Sequence, residues 1–224
     1  MGLFQWNKRF GGHDGDAGFR VLQSADGGFY FLGISQSGMG QQVTDTNHGG
    51  FYEAWLVRTD VNGNKLWDVM LGSYDDEILK DAVTLADNSI VLAGSTSAYV
   101  PNGTVSQPNL GPFTTTDVWI VKVDATGQVL WDRRYGGMGD DLGEGICLAS
   151  DSGFYVTGSV HRSSHLPDVT DTTDKGIIAV WLLKLNSMGY KEWDKKFGGD
   201  SISEGLEVLF SVSTKSIVVC GVSI

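Results

Sequence analysis

Tryptophan returns down this chain at Trp6, Trp67, Trp131 and Trp193, and this period of roughly 62 residues constrains the fold more than any other feature. A second set, Trp55, Trp119 and Trp181, precedes the last three at a constant interval. The words around the first set agree: "WNKRFGG", "WDVMLGS", "WDRRYGG" and "WDKKFGG". Further along each copy stands "ADGGFYFLGIS", "ADNSIVLAGST", "SDSGFYVTGSV" or "STKSIVVCGVS". Three copies then carry "AWLVRTDVNG", "VWIVKVDATG" or "VWLLKLNSMG". Units of this kind cannot bury their apolar faces alone, so they stack on one another.

Within a unit the apolar residues alternate. Trp55, Val57 and Thr59 fall on one face of "AWLVRTD", with Leu56, Arg58 and Asp60 on the other. Lys122 and Lys184 replace Arg58 in the later copies. That is the period of a strand. The next segment places Trp131 and Tyr135 on one side and Asp132 and Arg134 on the other, which predicts a charged outward face on an edge strand. "DEILKDAVTLAD" fits a helical stripe, but its counterparts "DAGFRVLQSAD" and "DLGEGICLASD" contain glycines that oppose a helix, so a strand is expected. Four antiparallel strands per unit, repeated radially, predict an all-β β-propeller of four-stranded blades over residues 1–224, with repeats starting near Trp6, Trp67, Trp131 and Trp193. A β-solenoid is the alternative, though its usual coils are much shorter. One copy of the Trp55-type strand is lacking for four full blades. Residues 3–10 are expected to pair with the C-terminal repeat, or an assembly to supply the strand.

The 31 glycines against 4 prolines fit many tight turns. A net charge of −11 repels a polyanion, so nucleic acid is not expected as a partner. No stretch is apolar for the length of a membrane span. "MGLFQWNKRFGG" lacks the apolar core of a signal peptide and already belongs to the repeat. Cys147 and Cys220 sit in apolar strand contexts and are expected as buried free thiols, not a disulfide framework.

"DVNGN" opens like a calcium loop. Its equivalents "DATGQ" and "NSMGY" keep only the glycine, and no bidentate glutamate follows, so a hairpin turn is expected. "NHGGFYEAWLVRTDVNGNKLW", "ADGGFYFLGIS" and "WDRRYGGMGDD" together resemble the secreted β-propeller repeats of Bacteroidota, common in surface proteins exported by type IX secretion, with a distantly kelch-like pattern. The resemblance implies an extracellular or cell-surface location and a binding or scaffold role. The chain departs from the family pattern in lacking a sorting domain after Ile224 and in the degenerate loop "SQSGMGQQVTDT".

The acids after each glycine pair are the leading polar candidates: Asp14 and Asp16, Asp75, Asp76 and Glu77, Asp140 and Asp141, with Ser203 and Glu204 in the fourth copy. Equivalent positions in successive blades form a ring at one end. Such a ring suits a cation or a basic partner, while each acid alone suits the capping of its own turn. The loops near residues 35–52, 96–117 and 160–177 join corresponding strands and should project together. Tyr99 and Phe113 make the second the most contact-ready, with Pro101, Pro108 and Pro112 beside them. His13, His48, His161 and His165 show no zinc spacing, and Ser163 and Ser164 lie in no nucleophile elbow, so neither metal, cofactor nor triad is expected. The expected function is a non-catalytic module binding a protein or glycan. The alternatives are a carbohydrate-active enzyme using the acidic ring, and a structural repeat of a larger adhesin or filament.

Overall fold

The computed structural model describes residues 6–112, 115–161, 168–172 and 176–223. The chain is all-β. Its first sheet holds β1 (Asp16–Gln23), β2 (Phe29–Ser35), β3 (Glu53–Thr59) and β4 (Lys65–Leu71). The second holds β5 (Glu77–Thr84), β6 (Ile90–Thr96), β7 (Asp117–Val123) and β8 (Val129–Tyr135). The third holds β9 (Asp141–Leu148), β10 (Phe154–His161), β11 (Ile178–Leu185) and β12 (Lys191–Phe197). The fourth is the hairpin of β13 (Ser203–Ser211) and β14 (Ser216–Ser223). Strands follow chain order within each sheet and every pair is antiparallel. The stretch "EILKDAVT" is indeed strand.

Consecutive sheets stack face to face. Tyr30, Leu32, Leu56 and Leu71 of the first meet Leu79, Leu92 and Trp119 of the second. Val91, Ile120 and Tyr135 of the second meet Val156, Trp181 and Leu183 of the third. Tyr155 and Leu182 meet Val208, with Phe210 and Val219 packed alongside.

The first strand of each sheet lies innermost and carries one extra residue. Pairing slips past Phe19, Lys80, Glu144 and Leu206 at the same place in all four sheets. Such bulges bend the strand and re-aim its side chains. Here charged residues on the first strands of different sheets meet: Arg20 Nε lies 2.8 Å from Asp81 and its Nη2 3.6 Å from Glu207, and Lys80 reaches Glu144 at 2.5 Å. The glycine in "FLGIS", "LAGST", "VTGSV" and "VCGVS" sits beside the bulge. A Cβ on Gly33, Gly94, Gly158 or Gly221 would collide with the carbonyl of Ala17, Ile78, Leu142 or Glu204.

The hairpin turns follow the sequence reading. Gly63, Gly127 and Gly189 have φ of 72°, 92° and 79°, in the region glycine favours. Asp60, Asp124 and Asn186 each accept from the backbone N–H two and four residues on, at 2.8–3.0 Å. The acid and the amide do one job, closing the turn.

Four expectations need correction. The face of Asp132 and Arg134 is not outward: both residues are buried, as is Asp194. Cys220 is exposed on the uncovered face of the fourth sheet, and Cys147 is half-buried beside Val208 and Phe210; both thiols are free. The chain forms fourteen strands among its described residues, not fifteen. Of residues 3–10, the first three lie outside the described residues, and Trp6–Phe10 pairs with no described strand of the C-terminal repeat. Instead it lies on the first sheet, with Trp6 against Phe29 (ring centroids 5.7 Å apart) and Phe10 against Phe31 (5.2 Å).

Candidate functional site

The acidic positions gather where the innermost strands begin, and they divide into two sets. Asp16, Glu77 and Asp141 open β1, β5 and β9. Each takes the N–H four residues before it, from Gly12, Ser73 or Gly137, at 2.7–2.8 Å. Asp16 also accepts from Ser35 and Ser37. Glu77 accepts from the hydroxyls of Ser73 (2.6 Å) and Thr96 (2.7 Å), and Asp141 from His161 N–H (3.0 Å). Glu77 and Asp141 are fully buried. Carboxylates held this way stitch the start of the innermost strand to the preceding turn.

Asp14, Asp75, Asp76 and Asp140 form the accessible set. Asp76 accepts from the N–H groups of Phe51 (3.1 Å) and Tyr52 (2.9 Å), Asp75 from Tyr99 (3.1 Å), and Asp140 from Thr116 (3.0 Å). Asp14 is exposed, and its own N–H donates to Ser37. These bonds tie the long loops to the neighbouring turns. Around them stand rings that sequence alone did not single out: Tyr74 is 71% exposed and Phe51 66%, beside Tyr99 at 44%. Tyr74 packs close to Gly49, so the two loops meet. The signal was present as an aromatic next to each acid in "GSYDDE" and "GGFYE". Phe113, Ser163, Ser164 and His165 lie outside the described residues.

Burial perturbs the acids unevenly. Glu77 is raised from 4.5 to about 7, chiefly by desolvation, with the Glu53 charge adding to it. Desolvation also raises Glu53, against the His48 contacts that favour its charge. Gly72 separates the pair: a Cβ there would meet Glu53 Cγ at 2.5 Å and Glu77 Oε2 at 2.6 Å. Asp117 is raised by burial against the opposing pull of Arg134, 2.6 Å away. Both glutamates are 0% exposed, so no sugar reaches their oxygens.

A second polar constellation recurs in all three complete sheets. Trp55, Trp119 and Trp181 donate their indole N–H to Asp68, Asp132 and Asp194 at 2.9–3.1 Å. The same carboxylates accept the N–H and hydroxyl of Thr44, Ser106 and Thr170 from the long loops. The preceding residue, Val43, Val105 or Val169, is buried. The following one, Asp45, Gln107 or Asp171, accepts from the backbone N–H of Met70, Arg134 or Lys196 on the outermost strand. A side chain thus covers an edge N–H that would otherwise be open to pairing. The words "VTDT", "VSQP" and "VTDT" carried this signal in the sequence.

Among the described residues no three His, Cys, Asp or Glu side chains converge as a metal site requires, and no helix is long and apolar enough to cross a membrane. His48 is bound to Glu53, and His13 Nδ1 lies 3.0 Å from Gln41.

No protein-family model matches the chain. Regulatory protein FlaEY of Caulobacter vibrioides is 28% identical over 196 residues, covering 83% of this chain. The chain spans 20% of that relative's length. Among solved structures, a protein of unknown function from Bacteroides caccae aligns with 83% of this chain and 83% of its own, at 10% identity and a TM-score of 0.26.

Proposed function

We propose that the chain is a β-propeller module of the secreted Bacteroidota repeat type, non-catalytic, working outside the cell or at its surface by binding a protein or glycan at its loop end. The observation that carries this reading is the rim itself. Phe51, Tyr74 and Tyr99 expose aromatic rings to water beside Asp75 and Asp76, on loops that side-chain hydrogen bonds hold in place. Exposed rings on a braced frame suit sugar faces or the side chains of a partner, because little order is lost when they engage. A net charge of −11 favours a neutral glycan or a basic protein surface. Glu77, the acid raised to about 7, is sealed from solvent, which argues against the enzyme alternative. Likeness to a protein named as regulatory is in keeping with binding.

The test is a glycan array and a panel of basic peptides probed with the wild-type chain and with Phe51→Ala, Tyr74→Ala and Tyr99→Ala. Hits lost in the variants, with unchanged melting temperature, support the reading. Hits indifferent to all three place recognition elsewhere.

A further inference from the structure

Each four-stranded sheet places a cation at the same point of its third strand, and the three cations meet different partners. Arg58 stands opposite Tyr30 in the ladder, with its guanidinium 4.7 Å from the ring centroid. Its Nη2 also reaches Asp26 of the adjoining hairpin turn at 2.6 Å. Lys184 stands opposite Tyr155, with Nζ 5.6 Å from the ring centroid, and pairs with Asp151 (2.8 Å) and Glu192 (2.9 Å). Lys122 stands opposite Val91, which offers no ring. The acid of its turn is Asp87, which accepts the N–H (3.0 Å) and the hydroxyl (2.5 Å) of Ser89, both on Oδ1. Ser89 chiefly, and the Lys122 charge to a lesser degree, hold Asp87 below the usual carboxylate range, so it is ionised at neutral pH. Among the described residues no hydrogen bond or ion pair holds the Lys122 ammonium.

The same exchanges of residue open a groove. Between the first and second sheets Asn88 fills the seam. Its side chain accepts from Asp26 N–H at 3.0 Å, and its carbonyl accepts from Tyr30 O–H at 2.5 Å. Between the second and third sheets Ser152 stands in the place of Asn88, and Val91 in the place of Tyr30. Asn88 and Ser152 share a positive φ, 60° and 67°, so the turn is kept and only the side chain is shorter. The space left is a groove of about 530 Å³. Leu85, Asp87 and Lys122 line it from the second sheet, and Leu148, Ser152 and Ser187 from the third. It lies between two four-stranded sheets, at the hairpin-turn end, opposite the rim of Phe51, Tyr74 and Tyr99.

We propose that this groove binds a small zwitterion of the amino-acid class, with its carboxylate on Lys122, its ammonium on Asp87 and its apolar side chain over Leu85 and Leu148. In the first and third sheets the cation and the acid close on each other. In the second they stand apart and line one groove, so a ligand carrying both charges bridges them. A ligand with one charge leaves the other unmatched. The apolar body covers Leu148, which is 41% exposed. Ser152 and Ser187 add hydroxyls that can bond the ligand's carboxylate.

The test is a titration of the whole chain with L-leucine, followed by the backbone N–H resonances of residues 84–87 and 148–152. Saturable shifts are expected there. Isocaproate, which lacks the ammonium, and isoamylamine, which lacks the carboxylate, should each bind about tenfold more weakly, the scale of one charged hydrogen bond. Lys122→Gln and Asp87→Asn should each weaken leucine binding by about the same factor. Their melting temperatures should not change, since Lys122 holds no partner and an asparagine keeps the oxygen that Ser89 uses. Ser152→Asn restores the side chain that fills the neighbouring seam and should block binding, in a conformation asparagine tolerates. Absence of saturable shifts overturns the proposal and leaves Lys122 a solvated lysine. Equal binding by either analogue overturns it in favour of a site for a single charge. Leucine binding that survives both charge variants overturns it as well.

Discussion

The second sheet and the fourth are written in the same words, yet their side chains meet different surroundings. "ADNSIVLAGST" becomes β6, buried along its whole length, while "STKSIVVCGVS" becomes β14, exposed at most positions. Tyr135 is covered and Phe197 is not, though both close a "W-x-x-x-aromatic" phrase. In a stacked repeat, burial at a given position is a property of the neighbouring unit more than of the local sequence. The repeat fixes which way a side chain points. The next sheet fixes whether anything meets it.

The sharpest way to break this comparison is at the tryptophans. Trp67→Ala and Trp131→Ala should each destabilise by about 3–5 kcal/mol, the range for losing a packed aromatic. Trp193→Ala, at 36% exposure, should lose about 1 kcal/mol or less. Urea denaturation of the three variants checks this, and equal losses would remove the distinction between the sheets.

The next effect follows pH. Glu77 titrates near 7 in the folded chain and near 4.5 when unfolded, so the folded state holds its proton more tightly. The stability from keeping Glu77 neutral is whole below about 4.5 and is lost as pH rises through about 7, on the order of 3 kcal/mol in all. Ser203 stands in the corresponding place of the fourth sheet and does not titrate there. Melting curves between pH 4.5 and 8 should slope downward for the wild type, and Glu77→Gln should flatten that part of the slope.

Smaller again is the loop lock. Asp132→Ala leaves the Trp119 indole and the Ser106 donors without their acceptor and should lose about 2 kcal/mol. Limited proteolysis should then cut between residues 96 and 117, where the wild type resists. If the loop stays protected, Val105 and Gln107 hold it without the carboxylate. The least effect is expected in the hairpin turns. Asn186→Asp should leave the melting temperature unchanged, because Asp60 and Asp124 already make the same two bonds.

The strands and their order were readable because period-two alternation and the tryptophan spacing survive in every copy. The hairpin turns were readable because Gly63, Gly127 and Gly189 persist while their neighbours change. The buried side of Asp68, Asp132 and Asp194 was not. A carboxylate alternating with apolar residues has the pattern of a solvated edge, and only the fold brings the indole 13 residues upstream and the loop hydroxyl about 24 residues away to it. The charge pairs between first strands were hidden for a related reason. A bulge shifts register by one residue, so the strand pattern misassigns Arg20, Asp81 and Glu207. The candidate acids fall at and just before the starts of β1, β5 and β9, but their division into sealed and accessible sets depends on burial, which no spacing reveals.

The lock on each long loop carries one more consequence. Thr44 and Ser106 clamp their loops near the middle, so each of these two loops behaves as two short spans joined at a fixed point. The span on either side can be lengthened or rewritten without disturbing the other, or the frame beneath. Diversity in such a chain can accumulate by local insertion, one half-loop at a time, while the clamp keeps its place.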